Sequence, residues 1–464
     1  MKIIPPLDPG FVSAALWARE YRRLVGRDVA PRSFALALVQ PDGSVFRHEE
    51  QLLGSDHPEA ALTLRYVERL LKFLLWQKGG SHVLVGGAPE VAEYLKNEYS
   101  PSGPRAFDHA FMGEKLHRLS FRIEPLVLDA LTLARSANLA IGRNLGGCRI
   151  GFDLGGSDRK AAALIDGKVV YSEEIAWDPY FQKDPAYHID GLHDSLKRAA
   201  AHLPRVDAIG GSAAGVYVNN EVRVASLFRG LAPEAFETHI RRMFFTLRER
   251  WGGVPFEVVN DGEVTALAAS MSLGVNSVLG VSMGTSMAGG YVTPEGTITP
   301  WLNELAFAPI DYRCDAPRDE WSGDLGCGVQ YFSQQGVGRL AALAGFEFAT
   351  DMCLPDRLVE VQNAMAADDP RARAIYETIG VCFGYALAHY AYFYELRHVL
   401  ILGRVTSGVG GGIILERARA VLEVEFPVLS ERLALHMPDE NKKRHGQAIA
   451  AASLPALQTF PLRS

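Results

Sequence analysis

Cysteine is scarce in this chain, with five in 464 residues. Cys148, Cys314, Cys327, Cys353 and Cys382 are widely scattered and odd in number, which argues against a disulfide framework and for reduced, mostly buried thiols. Long apolar runs are missing as well. None approaches the roughly 18 to 20 residues that span a bilayer, and the N-terminus lacks the basic, apolar, small-residue layout of a signal segment. A cytoplasmic protein without a membrane partner is therefore expected. Charge of one sign is also in short supply. The net charge is -7, and residues 1–146 carry 18 Lys and Arg against 16 Asp and Glu, so no basic module faces nucleic acid. The remainder is ordinary for a globular protein, at 48% hydrophobic and 22% charged residues, with length enough for two or three domains.

Glycine, by contrast, is plentiful. Three glycine-punctuated stretches each leave or enter a short apolar run that reads as a strand: 151–160 (Gly-Phe-Asp-Leu-Gly-Gly-Ser-Asp-Arg-Lys), 281–290 (Val-Ser-Met-Gly-Thr-Ser-Met-Ala-Gly-Gly) and 402–412 (Leu-Gly-Arg-Val-Thr-Ser-Gly-Val-Gly-Gly-Gly). Strand-turn elements of this kind can turn backbone amides toward phosphate. With 45 glycines in the chain, any one such turn is usually only a turn, so the information lies in their order and spacing. Between the first and second stands Asn260-Asp261, at the end of an apolar run from Phe256 to Val259.

From Arg149 the pattern is strand, turn, strand, helix, strand. Arg149 to Asp153 reads as a buried strand, Ala161 to Ile165 as the next, Asp166-Gly167 as a hairpin turn and Lys168 to Glu174 as the antiparallel return. Helical spacing follows from His193 to His202, then a strand from Val206 to Gly211 that ends in a Gly-rich loop over 210–215. Earlier, Ala35 to Val39, the turn Pro41-Asp42-Gly43 and Val45 to Glu50 echo this hairpin, followed by a helical stretch from about Glu59 to Gln77 and a strand over 82–87. A degenerate repeat would produce the echo, and so would chance. Leu145-Gly146-Gly147 marks a domain boundary.

The three stretches and the Asn-Asp pair, in this order, resemble the sugar kinase, actin and heat-shock ATPase superfamily, and within it the ROK family of sugar kinases, repressors and uncharacterised relatives. The resemblance covers about residues 149–455, including the small-residue segment 446–452. It implies an α/β protein with the actin-like ATPase (ribonuclease H-like) two-lobe kinase fold, preceded by an additional α/β domain. The boundaries expected are 1–146 for the extension, 147–270 for the first lobe and 271–464 for the second. It further implies ATP and Mg²⁺ as cofactors, with polyphosphate the alternative donor. Asp153 corresponds to the carboxylate that holds Mg²⁺ through water; Gly155, Gly156 and Ser157 contact phosphate, as do Gly284, Thr285 and Ser286. Gly403 and Gly408 line the adenosine. Asp261 is the implied general base, accepting the proton of the acceptor hydroxyl, with Asn260, Glu304 and Gly215 on the acceptor side. Lys160 either adds charge at the first turn or is a solvated strand residue.

Several of the family's motifs are altered here. The Glu-x-Gly-His that grips sugar hydroxyls reads Glu304-Leu305-Ala306-Phe307, the Glu expected after Gly326-Cys327 is Val329, and Leu227 to Gly230 departs from Asn-Leu-x-Gly. The family's structural zinc uses one His and three Cys, of which only Gly326-Cys327 stands in place, so no zinc site is expected. Two readings follow: a kinase acting on a sugar or sugar-like polyol other than a standard hexose, or a catalytically inactive nucleotide- or sugar-binding regulator. Residues 1–146 would cover the first lobe or build a homodimer.

Overall fold

The computed structural model describes residues 1–131, 133–135, 141–437 and 443–457. The chain divides into two compact units. Unit 1 comprises Met1–Leu139, Val281–Gly289 and Trp301–Met437; unit 2 comprises Ala140–Gly280, Gly290–Pro300 and Pro438–Ser464.

Unit 1 begins with a sheet of β1 (Arg32–Val39), β2 (Val45–Leu52), β3 (His82–Gly86) and β4 (Arg122–Leu126), in the order β2-β1-β3-β4. The β1–β2 hairpin closes where Asp42 accepts the Ser44 N–H at 2.8 Å and Gly43 takes a φ of +84°, the local chemistry of an Asp-Gly turn. Helix Leu62–Lys78 follows and is buried on nearly every face, including Glu68, Arg69 and Lys72. Gly79, at φ +75°, ends it, since a left-handed residue cannot continue the spiral. Strand β3 then runs antiparallel to β1.

Unit 2 is built on β5 (Cys148–Leu154), β6 (Asp158–Ile165), β7 (Lys168–Ala176), β8 (Ala208–Ala213) and β11 (Phe256–Asn260), with β9 (Val216–Val218) and β10 (Glu221–Val224) as a separate ribbon. The five-stranded order is β11-β8-β5-β6-β7. Strands β5, β6 and β7 form an antiparallel meander, and β8 and β11 add in parallel to β5. Here β3 pairs directly with β1, whereas β8 pairs with β5 and not with β6, the counterpart of β1. The early echo is thus one of hairpins and not of the strand that follows them.

One sequence expectation shifts at this point. Strand β8 runs through Ala213, so Gly210, Gly211 and Ser212 are strand and not loop. Glycines survive inside it because a Cβ on Gly211 would strike the Phe152 ring and one on Gly210 would strike the Ala451 carbonyl. Gly151 of β5 similarly meets the Ala448 carbonyl, so the small-residue helix Lys443–Ala452 lies close on the central strands. The helix after β11 begins directly at Asp261. Its cap explains this: the Asn260 side chain accepts the Gly262 N–H at 2.7 Å. The core beneath the sheet includes Ile150, Phe152, Leu196, Ile209 and Phe244.

The last sheet has the order β13-β12-β14-β15, from β12 (Val278–Met283), β13 (Met287–Val292), β14 (His398–Leu402) and β15 (Ala434–His436). The turn between β12 and β13 lies in unit 1. Beside it in sequence order run two long helices, Pro370–Phe393 and Val409–Glu425. They approach closely at Gly380 and Gly384, where a Cβ would come 2.7 Å from the Ile414 carbonyl and the Val421 Cβ respectively.

Candidate active site

Unit 2 places two carboxylates at the C-terminal ends of the two parallel strands that flank β8. Asp153 is the penultimate residue of β5, and Asp261 follows directly on β11. In parallel sheets of this kind such strand ends are where ligands bind. Asp153 is 5% exposed. Its Oδ1 accepts the Ser212 hydroxyl at 2.6 Å, from the residue paired with it across β8. Lys160 approaches its Oδ2 only to 3.9 Å, because the ammonium sits 2.9 Å from Asp158 instead. Burial consequently raises the Asp153 carboxyl above the usual carboxylate range, and the Ser212 hydroxyl and Lys160 only partly offset that rise.

Asp261 is half-buried, and its Oδ1 accepts the Gly262 N–H at 3.0 Å. A carboxylate at a helix N-terminus is ordinarily favoured in its charged form. Here the opposite effect wins. Burial first, and the Asp153 charge second, push the Asp261 carboxyl up to about 6. The Asp153 charge thus disfavours a second negative charge on Asp261, and the outcome is a base poised near neutral pH. Tyr217 stands in the same field: burial and then Asp261 raise its phenol well above 10, and its hydroxyl donates to the Ala214 carbonyl at 3.0 Å.

Asn260 is held at both ends of its amide. Its Nδ2 donates to the Gly215 carbonyl at 2.7 Å while its Oδ1 caps the helix. Gly215 needs its own φ of +129°, and a Cβ there would come 2.5 Å from the Ala225 Cβ. At the first turn, Ser157 is exposed and its hydroxyl donates to Asp158 at 2.8 Å. A Cβ on Gly155 would come 3.3 Å from the Asp158 carbonyl oxygen, and one on Gly156 would collide with the Tyr180 hydroxyl. The glycine at 156 is therefore required by packing.

Unit 1 carries the other two turns. Thr285 and Ser286 are exposed between β12 and β13, and Gly284 donates to the Ser286 carbonyl at 2.9 Å. The Gly284 carbonyl in turn accepts the Gln334 N–H at 2.9 Å, tying the turn to helix Gln334–Leu343. Gly403, at φ +101°, lies so near Met283 that a Cβ would come 2.5 Å from its carbonyl oxygen, whereas Gly408, at φ +68° and starting helix Val409–Glu425, faces open space. Glu304 also belongs to unit 1; its N–H donates to the Trp76 carbonyl at 3.0 Å. Phe307 is buried against Trp76, with ring centroids 4.4 Å apart. Val329 is 2% exposed. Phe307 and Val329 are thus packed as apolar core.

Sequence reading missed Ser212 and Tyr217. Ser212 was hidden by the glycines before it, which read as loop, although its spacing in an extended strand would have set it across from Asp153.

Solved structures share this fold. A ROK hexokinase from Thermus thermophilus superimposes with a TM-score of 0.53 at 19% identity, over 66% of this chain and 97% of that one. A ROK family glucokinase from Streptomyces griseus, in complex with glucose and AMPPNP, gives 0.50 at 19%, over 67% and 99%. A ROK family transcriptional regulator, a homologue of the E. coli MLC protein, gives 0.50 at 20%, over 67% and 78%. No family model and no curated protein matches the chain. The fold is therefore the mixed α/β, actin-like ATPase fold of these proteins, with the β1–β4 sheet and its helices ahead of it in the chain.

Proposed function

We propose that the chain is a ROK family, ATP-dependent kinase that transfers the γ-phosphate to a hydroxyl of a sugar or sugar-like polyol in the cytoplasm. The observation that carries this reading is the Asp261 carboxyl, pushed up to about 6 beside a second, under-neutralised carboxylate. A pure binder gains nothing from a buried acid whose charge disfavours that of a half-buried second one, whereas a phosphotransferase uses one as base and the other at its metal.

In this reading Asp261 takes the proton of the attacking hydroxyl. Asn260, fixed by Gly215 and Gly262, turns its remaining amide N–H toward a neighbouring hydroxyl, and Glu304 contacts the acceptor as well. Asp153 suits Mg²⁺ held through water: Ser212 occupies one oxygen, Lys160 stays 3.9 Å from the other, and the raised carboxyl gains from a nearby cation. Bound with the triphosphate, Mg²⁺ neutralises charge on the transferring group. Ser157, Thr285 and Ser286 offer exposed hydroxyls to phosphate, Gly155 and Gly284 their backbone, and Gly403 and Gly408 the adenosine side. The packed Phe307 and Val329 remove hydroxyl-binding groups, so the acceptor is not a standard hexose.

Those same two residues, with the regulator among the structural neighbours, favour a second reading as a nucleotide- or sugar-binding regulator without turnover. ADP release with Mg-ATP across hexoses, amino sugars, deoxy sugars and polyols separates the two. One acceptor that stimulates release supports the kinase; binding of a nucleotide or sugar with no stimulation across the panel supports the regulator.

A further inference from the structure

The segment from Cys314 to Ser333 is where the resemblance implies a structural zinc, and the residues present do not suit one. Cys314 is exposed and Cys327 is fully buried. Among the described residues no three His, Cys, Asp or Glu side chains are grouped to hold a metal. The Cys327 thiol donates weakly to Asp324 at 3.8 Å, and burial followed by the Asp324 charge drives it up, away from the thiolate that zinc requires.

A different device occupies this place. Helix Leu62–Lys78 and the short helix Ala106–Ala110, with Arg105 just before it, bring three cations and two acids to Asp324. Arg69 forms a two-armed pair with Glu68, both arms 2.6 Å, and reaches Asp324 at 3.3 Å. Lys72, fully buried, lies 2.8 Å from Asp108 and 3.1 Å from Asp324. Arg105 bonds Glu68 at 2.6 Å and pairs closely with Asp324. Trp76 completes the set, donating its indole N–H to Asp108 at 2.6 Å. Glu68, Asp108 and Asp324 thus balance Arg69, Lys72 and Arg105 in full. The same helix ends at Glu304: the carbonyls of Trp76 and Gln77, which have no partner within a helix C-terminus, accept the N–H groups of Glu304 and Asn303, each at 3.0 Å.

We infer that this ion network, supplied by residues 68–108, replaces a metal as the clamp on residues 303–331 and so positions Glu304. Its role for Glu304 rests on the kinase reading, but the clamp itself does not. Buried ion networks fix one arrangement strongly because each missing partner leaves a charge uncompensated, which gives the clamp a property no zinc site has: it should fail on loss of Lys72 and recover when the opposing charge goes too.

The test uses the full-length chain and needs no turnover, so it survives failure of the kinase reading. Protein produced with added zinc is assayed for bound metal, and amide hydrogen exchange is followed in residues 303–308, 325–331 and 148–154. The clamp predicts far less than one zinc per chain. It also predicts that Lys72→Met speeds exchange at least tenfold in the first two segments while 148–154 stays unchanged, and that Lys72→Met/Asp108→Asn recovers most of the loss. If Lys72→Met does not fold, Asp108→Asn takes its place in the same comparison. One zinc per chain, unaltered exchange in the single variant, or a double variant no better than the single one would overturn the inference.

Discussion

Two groups of buried carboxylates in this molecule have opposite fates. In unit 1, burial alone would raise Glu68 and Asp324, yet both are held below their usual range, Glu68 by Arg69 and Arg105 and Asp324 by Arg69, Lys72 and Arg105. In unit 2, Asp153 and Asp261 receive a hydroxyl, a backbone N–H and a distant ammonium, and both are raised. The sheet could have placed Lys160 on Asp153; Asp158 holds it away instead. Carboxylates matched charge for charge serve the fold, whereas a pair left short of compensation is costly to keep and points to chemistry.

The strongest way to break this comparison is to neutralise one acid in unit 2. Asp261→Asn should lower acceptor-dependent kcat by about 10² to 10⁴ while the melting temperature holds or rises, because the substitution removes a repelling charge. A drop in stability without loss of turnover would put Asp261 among the structural acids. Next comes the reverse experiment in unit 1. Lys72→Met should cost about 3 to 5 kcal/mol of stability by leaving Asp108 and Asp324 under-compensated, read by denaturant unfolding.

The pH dependence sharpens the contrast further. Asp261 binds its proton more tightly when folded, at about 6, than at its ordinary 3.8. Its contribution to stability is therefore present below about 4 and lost as pH rises toward 6. Asp324, held down in the fold, contributes in the opposite sense: its share is present above its ordinary 3.8 and disappears as pH falls. The melting temperature of the parent chain relative to Asp261→Asn should consequently fall as pH rises from about 4 through 6, whereas relative to Asp324→Asn it should fall as pH drops below about 4. Parallel curves would remove the distinction. The smallest effect is expected from Ser212→Ala, about 1 kcal/mol for a lost buried hydrogen bond, with weaker Mg²⁺ dependence as the second readout.

How much of this was legible in the sequence depends on how local the cause is. The hairpin at Asp166-Gly167 and the strands entering each glycine turn follow from turn chemistry and apolar runs, so β5, β6, β7 and β14 lie where the pattern put them, within a few residues. The start of the helix at Asp261 went unread because its cap is Asn260, a residue read for its chemistry and not for its hydrogen bond to Gly262. Ser212 was missed because glycine in β8 is explained only by the Phe152 ring and a helix more than 200 residues later. The unit 1 network was invisible for a like reason: Lys72 and Arg69 sit on an amphipathic-looking helix whose charges would ordinarily face water, and their partner Asp324 is remote in sequence. Local rules show where elements form. They do not show which distant residue makes a buried charge tolerable.

The most direct test of the account is acceptor-dependent ADP formation in a single turnover, for the parent chain and Asp261→Asn, with nucleotide affinity measured on the same samples. The account predicts unchanged nucleotide affinity, a rate in the parent that rises with pH through about 6, and near loss of that rate in the variant. Equal rates in the two proteins, or a parent rate indifferent to pH across that range, would contradict Asp261 as the base.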